Sequence, residues 1–232
     1  MSRKGETPPS WDSVWEGVYA GGQENRYPWD AVVSFLFRHR RRDLTPEQTK
    51  VLEVGCGTAP NLWFAAREGF RVSGIDGSKT AIARAQERFD KEGLGGDLRV
   101  GDFTSLPFAA EEFHLAIDRA ALSTCGLKPA RQAIAEVHRV LCQGGVFFCN
   151  PYSQRHPSLA SGSPGADGLT VDISAGSLVE AGQICFYDRE TLLGQFPDSQ
   201  WRVLALSHME VESVMGEAET GVAEWRLVAE KI

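Results

Sequence analysis

A doubly wound α/β fold, built on a mostly parallel seven-stranded sheet closed by an antiparallel C-terminal strand pair, is what this sequence of 232 residues predicts. Three observations carry that expectation. Between residues 50 and 149 short apolar runs alternate with stretches of helical period, the pattern of successive βαβ units. Closely spaced glycines, Gly55 and Gly57, follow the first of those runs and open a helix. Two final runs, WRVLALSHMEVESV and EWRLVAEKI, read as strands joined through a glycine-containing turn.

The elements follow in order. Residues 50–54 read as a buried strand, PNLWFAARE (60–68) as a helix ended by Gly69, and FRVSGID (70–76) as the second strand. Ser78 is placed to cap a helix whose Ile82, Ala85 and Phe89 form one apolar stripe. Strands at 98–100 and 113–118 precede a helix from Pro129 to Leu141, with Ile134 and Val137 on its apolar face, and a strand at 146–149. A further helix is expected at 188–196. These five strands and the C-terminal pair make seven.

Outside this frame the chain divides into an N-terminal lid and helix (1–49), the core (50–232) and an insertion within the core at 153–187. The lid carries Trp11, Trp15, Tyr19, Tyr27 and Trp29, then a helix from Pro28 with Val32, Val33, Leu36 and Phe37 at helical spacing. The basic run His39 to Arg42 falls where a helix C-terminus favours cations. Within the insertion, SQRHPSLASGSPGADG is loop, while residues 169–174 and 183–187 read as a small hairpin and the whole as an acceptor lid.

Composition narrows the function classes. With 24 Lys and Arg against 31 Asp and Glu, a net charge of −7 gives no electrostatic reason for binding nucleic acid or an anionic membrane. Five cysteines without CxxC spacing suit a reducing, cytoplasmic location and point to neither a disulfide framework nor a metal site. The polar start MSRKGETPPS has no apolar core of an export signal, and no run reaches membrane-spanning length. A monomer or homodimer with a small-molecule partner is expected.

The glycine turn places backbone N–H groups at a helix N-terminus, and Asp76, about 20 residues on, ends strand two where an acid accepts from ribose hydroxyls. Pro60 stands where a dinucleotide turn would have its third glycine. By contrast, Glu53-Val54-Gly55-Cys56-Gly57-Thr58 resembles the first motif of class I S-adenosylmethionine-dependent methyltransferases. The likeness continues through Gly74-Ile75-Asp76, Gly101-Asp102-Phe103 and Leu141-Cys142-Gln143-Gly144-Gly145-Val146, with Ala59 and Gln143 departing from the family's usual glycine and proline.

That resemblance implies S-adenosylmethionine as cofactor, S-adenosylhomocysteine as product and a Rossmann-like fold; the modest length and acidic balance point to a small-metabolite acceptor rather than a nucleic acid and leave a protein substrate open. The cofactor residues it implies are Glu53, Gly55, Cys56, Gly57, Asp76, Gly77, Ser78, Asp102, Phe103 and Asp118. Asp118 and Arg119, at the end of strand four, are the leading acceptor-side pair, for positioning or contact; an ion pair that supports the pocket is the competing role. Asn150, Tyr152, His156 and Tyr27 are the remaining acceptor candidates. The tripeptide Asn150-Pro151-Tyr152 follows strand five, so it does not match the strand-four motif of amino-methylating nucleic-acid enzymes. A nicotinamide-dependent oxidoreductase and a non-catalytic S-adenosylmethionine-binding protein are the alternatives.

Overall fold

The computed structural model describes residues 12–179, 181–212, 214–215 and 221–232; Trp11 lies outside them. Two short helices come first, α1 (Val14–Ala20) and α2 (Asp30–His39). The parallel strands are β1 (Lys50–Val54), β2 (Arg71–Asp76), β3 (Asp97–Val100), β4 (Phe113–Asp118) and β5 (Leu141–Cys149). Between them run α3 (Pro60–Arg67), α4 (Lys79–Glu92) and α5 (Leu127–Val140).

Three small strands, β6 (Ser163–Pro164), β7 (Leu169–Val171) and β8 (Ile184–Cys185), precede α6 (Arg189–Leu193) and the pair β9 (Trp201–Val211) and β10 (Val222–Lys231). The large sheet has the order β3-β2-β1-β4-β5-β10-β9, its last two strands antiparallel. Seven strands and their directions agree with the expectation.

Both faces of the sheet are covered, which explains why β1, β2 and β4 read as nearly continuous apolar runs. On one face, Val32, Phe35 and Leu36 of α2, Leu62 and Ala65 of α3, and Ala85 and Phe89 of α4 pack over Val51, Leu115 and Phe148. On the other, Ile134 and Val137 of α5 and Leu192 of α6 pack over Leu52, Phe147 and Leu227. Ser78 caps α4 as expected, its hydroxyl accepting from Ala81 N–H at 3.0 Å, and Gly93 ends that helix at φ 66°.

Three local features differ from the sequence reading. Helix α1 was not expected: it is only seven residues long, and its apolar Val14, Trp15, Val18 and Tyr19 are only half-buried. The segment from Leu141 to Gly145 belongs to β5 as an irregular start, with Gly144 at φ 72° and a register shift against β4. Helix α5 begins at Leu127 rather than Pro129, since the first helical turn tolerates proline.

The insertion folds as its own small sheet, β6-β7-β8, in which β7 and β8 form the expected hairpin. A satellite core of Ile173, Leu178, Ala181, Ile184 and Phe186 sits beneath it. Trp15, Tyr152 and Leu159 pack against that core.

Candidate active site

All ligand-directed features gather at the carboxyl edge of the parallel strands, the usual binding edge of open α/β sheets. After β1 the chain turns through three left-handed residues, Gly55 (φ 63°), Gly57 (φ 55°) and Ala59 (φ 56°). At Gly55 a Cβ would lie 2.1 Å from the Cβ of Ala121, and at Gly57 one would lie 2.5 Å from the Tyr19 hydroxyl oxygen. Gly55 therefore demands glycine on two counts, whereas at Gly57 the positive φ is the firm constraint because the Tyr19 hydroxyl end can yield. Ala59, at the family's usual third glycine, keeps the left-handed conformation regardless and is fully buried.

Two acids flank this turn. Asp76 accepts from Gly57 N–H and Ser78 N–H, each at 2.8 Å, and burial raises its pKa against those donors. Glu53 is buried, with Oε1 accepting from Asn61 Nδ2 at 2.7 Å and Oε2 left with no donor. Burial pushes Glu53 up to about 8 despite the Asn61 donor and the nearby Arg119.

These residues form the floor of a partly open cavity of about 210 Å³. Glu53, Gly55, Gly57, Asp76, Gly77 and Phe103 line the floor, with Cys56 and Thr58 beside them. The roof comes from the N-terminal segment: Trp15 and Tyr19 of α1, then Gln23, Asn25 and Trp29. The far wall holds Arg119, Thr124 and Tyr152.

Side chains on and beside the floor hold the roof. Ser78 Oγ donates to Glu16 Oε2 at 2.6 Å and Thr80 Oγ1 donates to the other oxygen. Thr58 Oγ1 donates to the carbonyl of Asn25 at 3.2 Å, and Asn61 Oδ1 accepts from Trp29 N–H at 3.0 Å. Asn61 thus links the roof to Glu53 through one side-chain amide. At the far wall the Arg119 guanidinium stacks 3.9 Å over the Trp29 ring and pairs with Glu224 of β10 at 3.1 Å.

Of the residues singled out in the sequence, Glu53, Gly55, Cys56, Gly57, Asp76, Gly77, Phe103, Arg119 and Tyr152 meet in this cavity. Six do not line it. Asp118 is fully buried and turns inward, accepting from Leu122 N–H at 3.0 Å; burial raises it to about 6. Ser78 is spent on the α4 cap and Glu16. Asp102 accepts from the N–H and hydroxyl of Thr104 within its own loop.

Asn150 is buried and donates to the carbonyl of Trp225 at 2.6 Å. His156, expected in a polar loop, is buried against Tyr152 and Phe186, and burial lowers it to about 4. Tyr27 is 72% exposed, pointing away from the roof that its neighbours build.

Sequence reasoning missed Gln23, Asn25, Thr58, Asn61, Thr124 and Glu224. Asn61 alone left a readable trace: it is the second residue of the helix after the glycines, within reach of the strand acid. No residue of 153–187 lines the cavity, but Gln183 Nε2 donates to the carbonyl of Thr124 at 3.1 Å, so the insertion stands behind that wall. Among the described residues, no helix is long and apolar enough to cross a membrane and no acid, His or Cys cluster could hold a metal.

The cavity suits an S-adenosyl group by its own chemistry. A buried carboxylate oxygen without a donor awaits a ligand N–H, Asp76 keeps free lone pairs beside the glycine turn, and Phe103 offers an apolar face further along the edge.

Comparison with known proteins agrees. Residues 51–145 match the profile of the methyltransferase domain family. The human "EEF1A lysine methyltransferase 2" (Homo sapiens) is 29% identical over 160 residues, 62% of this chain and 68% of that protein. "Squalene methyltransferase 1" of Botryococcus braunii is 37% identical over 101 residues, 42% of this chain and 26% of that protein, so the chain spans about a quarter of that relative's length. A solved S-adenosylmethionine-dependent methyltransferase from Methanosarcina mazei superposes with a TM-score of 0.70 at 19% identity, covering 89% of this chain and 99% of that one. Residues 51–145 are therefore a methyltransferase domain by that match, and S-adenosylmethionine is the cofactor it implies.

Proposed function

We propose that this protein transfers the methyl group of S-adenosylmethionine to a small-molecule acceptor that enters beneath the N-terminal roof. The observation that carries this reading is the roof itself: Trp15, Tyr19, Gln23, Asn25 and Trp29 of the same chain close over the cavity. Such a roof suits a compact acceptor better than a broad macromolecular surface. The sulfonium supplies an activated methyl group, so the protein's task is to hold an acceptor atom in line with it.

Asp76 and Phe103 hold the nucleoside, and Tyr152, Trp29 and Thr124 orient the acceptor. The reading rests on positioning, since an activated sulfonium needs an acceptor atom held in line more than it needs a base. The test is transfer of labelled methyl from S-adenosylmethionine into a cell extract split by size. Label in the fraction of small metabolites is expected, and label confined to protein would overturn the small-molecule reading.

A protein-lysine acceptor is the second reading. It is favoured by the human relative's name and by the aromatic lining of the cavity, which suits a slender cationic side chain. Label in the protein fraction would select it.

A further inference from the structure

No residue of the insertion lines the cavity, yet Gly182, Gln183 and Tyr187 hold the parts that do. Gln183 Nε2 donates to the carbonyl of Thr124 at 3.1 Å, and Tyr187 N–H donates to the carbonyl of Tyr152 at 2.9 Å. Thr124 and Tyr152 belong to the far wall, and Ser123 Oγ, beside Thr124, accepts from Tyr152 N–H at 3.0 Å. Gly182, at φ 74°, stands against the roof instead. A Cβ there would run into the Asp12 carboxylate and lie 2.9 Å from Val14 Cγ1; Asp12 Oδ1 in turn accepts from Val14 N–H at 3.0 Å where α1 begins.

Gly182 and Gln183 are consecutive, so one short stretch of chain abuts the roof and holds the wall. Its own place is fixed. Strand β8 starts at the next residue, pairs with β7, and seats Ile184 in the satellite core together with Phe186. Trp15 of the roof and Tyr152 of the wall both pack against that same core.

We propose that Gly182 and Gln183 form a strut that sets the distance between the roof and the far wall, and with it the width of the opening for the acceptor, Gln183 being a positioning residue that acts through Thr124. This deepens the proposed function and rests on it. It gives the insertion a part in selecting the acceptor without contact with the acceptor. Buried carbonyls are costly to leave without a donor, so loss of the Gln183 amide lets the Thr124 wall shift. An in-line transfer is sensitive to such a shift even when the substitution lies far from the reacting atoms.

The test follows labelled methyl from S-adenosylmethionine into the small-metabolite fraction of a cell extract, supplied as a dilution series, beside titration with S-adenosylhomocysteine. Gln183→Leu, which keeps bulk and removes the donor, is expected to lower transfer on the order of tenfold to a hundredfold, chiefly as a higher half-saturating amount of extract, with S-adenosylhomocysteine affinity unchanged. Gln183→Glu adds a readout that a general loss of stability would not move. Its carboxyl donates to the Thr124 carbonyl when protonated and repels it when ionised, so its rate relative to wild type should recover below about pH 5 and fall as pH rises through the carboxylate range. Gly182→Ala should lift α1 and speed S-adenosylhomocysteine release several-fold; Val14→Ala, which removes the same contact from the roof side, takes its place if Gly182→Ala does not fold.

Wild-type transfer by Gln183→Leu, a Gln183→Glu profile parallel to wild type, or unchanged release from the Gly182 and Val14 variants overturns the strut while leaving the methyl-transfer reading intact. Absence of label from every small metabolite with the wild-type protein overturns the small-molecule reading and the strut with it.

Discussion

The Asp76 carboxylate accepts from the backbone N–H groups of Gly57 and Ser78, each at 2.8 Å, and so ties the turn after β1 to the turn after β2. One side chain therefore shapes the donor cradle as well as contacting what lies in it. Asp76→Ala is expected to weaken S-adenosylhomocysteine binding by about 1.5 to 3 kcal/mol and to lower stability by about 1 to 3 kcal/mol, because two buried N–H groups lose their acceptor. Asp102→Ala should cost less affinity, since Thr104 already occupies that carboxylate. Calorimetry with both variants checks the ranking; a larger loss at Asp102 would reverse it.

Glu53 sets a pH dependence. Burial raises its pKa to about 8, so below that pH the ligand-free protein holds it protonated, whereas a bound ammonium favours the carboxylate. Binding then expels a proton, and affinity for S-adenosylhomocysteine should rise with pH from about 6 to about 8, by up to tenfold per unit, then level off. Titrations in two buffers of different ionisation enthalpy will register the released proton. Glu53→Gln should flatten the profile; a flat wild-type profile would remove Glu53 from the ligand's contacts.

Folding stability carries the opposite sign from the same residue. A carboxyl with a raised native pKa binds more protons folded than unfolded, so its contribution is present below the ordinary carboxylate range and declines as pH climbs through about 8. Wild-type protein should lose stability relative to Glu53→Gln across that window, and chemical denaturation at pH 5 and pH 8.5 measures the difference.

The two glycines of the turn should not be equally sensitive. A Cβ at Gly55 meets the Cβ of Ala121, which is fixed to backbone, whereas one at Gly57 meets only the hydroxyl end of Tyr19 on a short surface helix. Both alanines would sit at positive φ, costing about 1 to 2 kcal/mol. Gly55→Ala is expected to exceed that figure through the clash, while Gly57→Ala displaces the roof and chiefly shortens ligand residence. Thermal unfolding and dissociation rates separate the two outcomes; equal destabilisation would contradict the distinction.

Helix α1 is held by its half-buried Val14, Trp15, Val18 and Tyr19 and, at its polar side, by the Glu16 contacts to Ser78 and Thr80. Glu16→Ala should speed S-adenosylhomocysteine release several-fold in stopped-flow chase experiments with a smaller change in equilibrium affinity, as expected for a lid that limits escape. An unchanged release rate would mean that ligand leaves without moving α1.

The parts of this site legible in the sequence were the local ones. Gly55, Gly57 and Asp76 announce themselves because a strand, a tight turn and a helix start occupy consecutive residues, and the βαβ pattern sets the sheet order around them. The roof was harder to read: α1 is seven residues long and acquires its role only by lying over residues more than thirty positions away.

Glu224 was invisible because its partner, Arg119, reaches it only once β10 lies beside β5. Asp118, Asn150 and His156 show the converse limit. Asp118 and Asn150 stand at or just past a strand's carboxyl end, as a ligand residue should, and His156 follows in the next loop, yet each faces inward to satisfy buried backbone or pack on aromatic rings. Position along a strand is written in the sequence; the direction a polar side chain takes at its end is decided by the neighbours it finds there.

The most direct test is calorimetric titration of the wild-type protein with S-adenosylhomocysteine and, separately, with NAD. The cradle of Glu53, Gly55, Gly57 and Asp76 predicts saturable binding of one S-adenosylhomocysteine per chain, abolished or strongly weakened by Asp76→Ala, and no binding of NAD. Binding of NAD in its place, or S-adenosylhomocysteine binding untouched by Asp76→Ala, would contradict it.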